Sequence, residues 1–170
     1  MRLTYVFFLI LLILCFPTYA QNHESEDTAN NRVLLKIPYE DRDDLLHVMR
    51  NNLNNLGKMI EAMANNDYAS VQEIAEKMSF NKKKGKGLAH RGNKAFTAMG
   101  LQFHAVDTIA VMKAAQKKNS KTTLQSMAKM VNTCVACHST FRVTEWPADK
   151  AYNRPKPTKL VLPKGYKITH

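Results

Sequence analysis

The chain has 170 residues, 45% of them apolar and 23% charged, with 25 lysines and arginines against 14 acids and a net charge of +11. That length suits one domain, and the composition is globular rather than disordered or fibrous. Six glycines without a phosphate-loop pattern argue against the common nucleotide-binding folds. Three cysteines are too few for a disulfide scaffold or a four-cysteine zinc site.

Arg2 is the only charge before His23 and Glu24, and a nearly unbroken apolar run follows from Tyr5 to Phe16, then Pro17, Thr18, Tyr19 and Ala20. A basic start, a short apolar middle and a small residue at the cleavage point describe a secretory signal peptide. The run is about a dozen residues, against roughly 20 for a membrane span; a retained anchor is the alternative. Leu14 stands before Cys15, where a lipoprotein signal needs a small residue. Cleavage after Ala20 makes residues 1–20 the signal, sends the protein to the bacterial periplasm, and leaves Cys134 and Cys137 as the mature cysteines.

Residues 21–37 are polar for most of their length, without sustained period, and are expected to form a flexible leader. From about Asp41 to Asn65, Leu45, Met49, Leu53, Leu56, Ile60 and Met63 recur at steps of three and four, one face of an α-helix. Gly57 weakens that helix unless something must approach its backbone closely. Asp67 can cap a second helix carrying Tyr68, Val71, Ile74, Ala75 and Met78. A charged, glycine-broken loop covers Asn81 to Gly87. A third helix is expected from about Asn93 to Lys117, with Phe96, Met99, Phe103, Val106, Ile109, Ala110 and Met112 inward. Asn119 and Ser120 supply turn and cap chemistry. The fourth, about Lys121 to Val143, is expected to bury Leu124, Met127, Ala128, Val131, Cys134, His138 and Phe141. Pro147 stops it, and residues 146–170 form a basic, proline-containing tail whose one strand candidate is Lys159 to Leu162. The expected fold is all-α: an up-down-up-down four-helix bundle over residues 38–145.

Cys134-Val135-Ala136-Cys137-His138 is C-x-x-C-H, the attachment signature of c-type haem. Residues 134, 137 and 138 share one helix face, so two thioether bonds can hold the ring while His138 reaches the iron. The competing chemistries fit less well. Three residues apart within a helix is poor disulfide geometry. A thioredoxin-type pair belongs at a helix start near a βαβ unit. Beyond the two cysteines zinc would need two further ligands, and only scattered histidines remain. The expected cofactor is one covalent haem c per chain, with its iron.

With a signal peptide, four helices and C-x-x-C-H near the end of the last, the chain resembles the class II cytochromes c, the cytochrome c-prime family. Val131 to Arg142 (VNTCVACHSTFR) is similar to that family's last-helix ending, and Leu53 standing four before Gly57 is similar to its first helix. The resemblance covers residues 38–145. It implies Cys134 and Cys137 as attachment points and His138 as the axial iron ligand. Arg142 would lie near the haem edge and pair with a propionate, or be an exposed helix-end arginine favoured by the dipole. Alignment on Gly57 places Leu53 in the distal pocket, where it cannot ligate; Met49, one turn earlier, is the candidate sixth ligand, against the plainer role of core filler. Met49-Arg50 stand where the family has an arginine-glutamine pair. His47 and His104 are expected to be surface or core histidines.

The implied function is electron transfer by an exported haem protein. The alternative is a five-coordinate protein that binds nitric oxide or carbon monoxide for sensing or detoxification. No acid–base constellation for substrate chemistry surrounds the motif, so an enzyme is not expected. Lys82, Lys83, Lys84 and Lys86 crowd one loop, and Lys117, Lys118 and Lys121 another. They are either solvated loops or a docking field for an acidic redox partner or anionic membrane surface. Nucleic acid is not an expected partner; the family resemblance implies a homodimer.

Overall fold

A computed structural model describes residues 31–81, 87, 93–153, 156 and 159–166. The expected signal peptide (residues 1–20), residues 21–30 of the expected leader, and the lysines of 82–86 lie outside the described residues. The order is β1 (Val33–Ile37), α1 (Tyr39–Ala64), α2 (Tyr68–Met78), α3 (Lys94–Leu101), a π-helical segment (Gln102–Asp107), α4 (Thr108–Gln116), α5 (Ser120–Thr140) and β2 (Phe141–Glu145). Because α3, the π segment and α4 are continuous, the helices form four rods.

Local chemistry sets the boundaries. Pro38 stands before α1, where its fixed φ suits the helix entry and its missing N–H costs nothing. Glu40 and Asp41 place negative charge in the first turn, against the helix dipole's positive end. Asp67, Asn93 and Asn119 each accept a hydrogen bond from a backbone N–H three residues on: Ser70 at 3.0 Å, Phe96 at 2.9 Å and Thr122 at 2.9 Å. Asn66 and Lys118 take φ of 55° and 52°, the left-handed turns that reverse the chain after α1 and α4.

Two apolar clusters hold the rods together. One joins Met59, Ala62 and Met63 of α1 to Val71, Ala75 and Met78 of α2, Phe103, Val111 and Ala115 of the third rod, and Met127 and Met130 of α5. The other joins Leu35 and Ile37 of β1, Leu45, Phe80, Phe96, Ala105 and Phe141. α2 packs most extensively against α4, α1 against α2, and α4 against α5; α1 and α5 are not among the closely packed pairs. None of the described helices is long and apolar enough to cross a membrane.

The protein is mostly helical, but not all-α. β1 and β2 form a parallel two-stranded sheet, Val33 opposite Phe141 and Ile37 opposite Glu145. Residues 33–37, expected in the flexible leader, bury Leu35 and Ile37 and expose Val33, Leu34 and Lys36, the period-two pattern of a strand with one face on a core. The fourth helix ends at Thr140 rather than Val143; Phe141, Val143 and Thr144 suit a pleated, half-buried surface. Residues 159–162 form no strand. Part of the tail nonetheless packs: Leu160, Leu162 and Tyr166 lie on the second cluster, and the Tyr166 hydroxyl donates to the Phe80 carbonyl at 2.9 Å.

Candidate functional site

α5 presents the Cys134–His138 motif in its last two turns. Cys134 packs against the first cluster, as Leu56 does, and Cys137 against the second, which also takes Met49. The motif therefore sits at the seam between the two cores. Both cysteines are half-buried free thiols, and His138 is exposed. The end of the helix is fixed from outside: the Arg32 guanidinium donates to the His138 carbonyl at 3.2 Å, and Phe141 packs edge-on against Phe96 with ring centroids 5.5 Å apart.

The electrostatics keep the sulfurs protonated. Burial pushes the Cys134 thiol above its ordinary value, and the Asp107 carboxylate pushes it further. Burial does the same at Cys137, with Cys134 beside it contributing. The negative end of the α5 dipole works in the same direction. Redox-active C-x-x-C pairs need the reverse, a helix N-terminus and a lowered thiol pKa. Among the described residues no group of three or more His, Cys, Asp or Glu is placed to hold a metal ion, so Cys134, Cys137 and His138 do not converge as a zinc chelate would. What they can do is bond covalently through sulfur and coordinate separately through imidazole.

The other expected site residues are spread more widely. Leu53 is on α1 but 70% exposed, and Ile60, two turns on, is 56% exposed. Leu124 of α5 is 50% exposed, and Ala128 and His138, also expected to be buried, are exposed as well. The expected inward faces hold in part: α1 buries Leu45 and Met63 as expected and adds Met59 and Ala62, and α5 buries Met127 as expected and adds Thr123 and Met130, whereas Leu53, Ile60, Leu124 and Ala128 lie outside. Leu53 and Ile60 therefore flank, rather than form, the packed stripe. A methyl group at Gly57 would meet no other atom within 4 Å, so within the chain itself nothing crowds that backbone. Met49 is half-buried in the second cluster, consistent with core filling. Arg142 lies on β2, opposite Leu34, and not on a helix end.

The two histidines set aside from the sequence are both satisfied. His104 is buried, with Nδ1 2.6 Å from the Met78 carbonyl oxygen, and His47 is exposed, with Nε2 2.9 Å from Asn51 Nδ2. Sequence reasoning missed Asp107, which is buried in the π segment and accepts hydrogen bonds from Gln102 Nε2 at 2.8 Å and from Thr133 Oγ1 at 2.6 Å. Its signal was available: Asp107 stands four after Phe103 and four before Val111, on a face otherwise apolar.

Comparison with protein-family models, with curated proteins and with solved structures returned no significant match.

Proposed function

We propose that the protein is an exported, periplasmic c-type haem protein of the cytochrome c-prime kind, with its four rods forming a haem-bearing bundle that acts in electron transfer. The observation that carries this reading is the pair of half-buried, protonated thiols next to the exposed His138 on the last turns of α5. Their chemistry fits the group: thiols three residues apart for thioether bonds, and one imidazole four residues from the first sulfur for the iron. A bound haem supplies one-electron exchange between ferric and ferrous iron. The chain's own part is to fix the ring through Cys134 and Cys137, to offer the His138 imidazole, and to keep water from the ring with the flanking clusters.

The test is expression with a periplasmic cytochrome c maturation system. Haem that stays with the denatured chain after acid extraction supports the reading; complete loss of haem overturns it. Lys117, Lys118 and Lys121, exposed at the α4–α5 turn, suit docking of an acidic redox partner, and a homodimer is the proposed assembly.

A second reading is binding of nitric oxide or carbon monoxide at an open sixth position. It is favoured by the exposed stripe of α1, where Leu53, Gly57 and Ile60 offer no lone pair to iron. Exposing the purified ferrous protein to carbon monoxide and recording its spectrum separates the two readings.

A further inference from the structure

Asp107 is a buried carboxylate that the proposed function does not use. It is 6% exposed, and its carboxylate oxygens accept from Gln102 of its own π segment and from Thr133 of α5. The ion pairs among the described residues, Arg42–Glu145 and Lys77–Glu73, do not involve it. Hydrogen bonds satisfy the oxygens but leave the negative charge in place, and a buried charge without a counter-ion is costly to keep. π-helical stretches are uncommon and concentrate at functional sites. This one places the carboxylate one residue from the motif, because Thr133 precedes Cys134 in the chain.

We propose that Asp107 is a positioning residue that sets the reduction potential of the haem: its fixed negative charge, aimed at α5 through Thr133, favours the ferric state. This rests on the haem reading above. A buried negative charge stabilises the more positive of two iron states and does so more strongly where water is scarce. The same carboxylate lies close enough to Cys134 to push its thiol, already raised by burial, further up. Through an effective dielectric near 20, a unit charge near a redox centre is worth roughly a factor of ten in the equilibrium.

The experiment uses the full-length haem-loaded protein and compares wild type, Asp107→Asn and Thr133→Val by redox titration, visible spectrum and thermal melting. Asp107→Asn keeps the side chain's size while removing its charge. It should shift the ferric–ferrous equilibrium about tenfold toward ferrous, about 59 mV upward in midpoint, with an unchanged spectrum. Asp107→Glu should restore most of the wild-type potential. Thr133→Val removes the brace and keeps the charge, so it should lower the melting temperature while leaving the potential close to wild type. If Asp107→Asn melts early but its potential stays at the wild-type value, Asp107 is only a brace and the proposal fails. Should the wild-type chain carry no covalent haem, the haem reading itself fails, a result visible before any titration.

Discussion

The Phe141 ring stands edge-on to Phe96, the centroids 5.5 Å apart and the planes at 85°, so the residue that ends the motif helix is pinned to the first turn of α3. Phe141 is also the first residue of β2 and belongs to the second cluster, which Cys137 flanks. Phe141→Ala should therefore destabilise the protein by about 3–5 kcal/mol, the usual cost of emptying a buried phenyl site. Val135→Ala, at a position 60% exposed, should cost far less in the haem-free chain. Urea unfolding of both variants checks the contrast.

Attachment should divide by residue. Cys134→Ser or Cys137→Ser leaves one thioether position and should weaken retention of haem on denaturation. His138→Ala should leave both sulfurs able to react while changing the iron spectrum most. Acid extraction and visible spectra of the three variants read these outcomes directly; equal spectra for His138→Ala and wild type would exclude His138 as the ligand.

Alkaline pH should loosen the haem-free chain. Both thiols are raised above their ordinary value, chiefly by burial, so the folded state holds these protons more tightly than the unfolded chain does. The stability this provides is complete below the ordinary thiol range and is lost as pH rises above about 8.5 and through the folded-state values. Urea midpoints between pH 7 and pH 10 should fall more for the haem-free wild type than for the Cys134→Ser/Cys137→Ser double variant. Once the sulfurs are bonded to a porphyrin they no longer titrate, and this part of the loss should disappear.

Gly57 supplies a test of where the ring lies. With no atom within 4 Å of an added methyl group, Gly57→Ala should stabilise the haem-free protein by about 0.5–1 kcal/mol, the ordinary helical gain. If haem lies against the Leu53–Gly57–Ile60 stripe, the same substitution should give no gain, or a loss, in the loaded protein. Melting of both forms with and without the substitution decides it.

The sixth position is decided by two variants. With Leu53 over the iron, the ferrous protein should be high-spin, and Leu53→Ala should speed carbon monoxide binding by about tenfold, a barrier change of about 1.4 kcal/mol. A low-spin resting protein with a sulfur-to-iron band that Met49→Leu abolishes would instead assign a methionine ligand and a carrier role.

The helices were legible because their signals are local. Asp67 and the Asn119–Ser120 turn announce their caps within a few residues, and the steps from Val71 to Met78 repeat one period. The strands were not, because Val33–Ile37 acquires its partner only at Phe141–Glu145, and a short, mostly apolar stretch before a helix carries no mark of so distant a pairing. Burial was legible only in part. Met63 and Met127 are inside as periodicity requires, whereas Leu53, Ile60 and Leu124 have the same character and lie outside. Periodicity fixes which residues share a stripe; the neighbouring rod decides which edge of the stripe it covers. The motif was legible as a covalent spacing, but the charge that bears on Cys134 was not, since Asp107 comes from another rod.

The parallel pairing of β1 with β2 also imposes an order of events. Val33–Ile37 precedes Phe141–Glu145 by more than a hundred residues, so the first strand waits for its mate through most of the chain's delivery. Cys134 and Cys137 emerge just before β2 does. The clamp on the end of their helix therefore cannot close until both sulfurs have been delivered. Until β2 docks, the end of the motif helix lacks the clamp that Phe141 and the strand pairing provide, and docking of that strand fixes it.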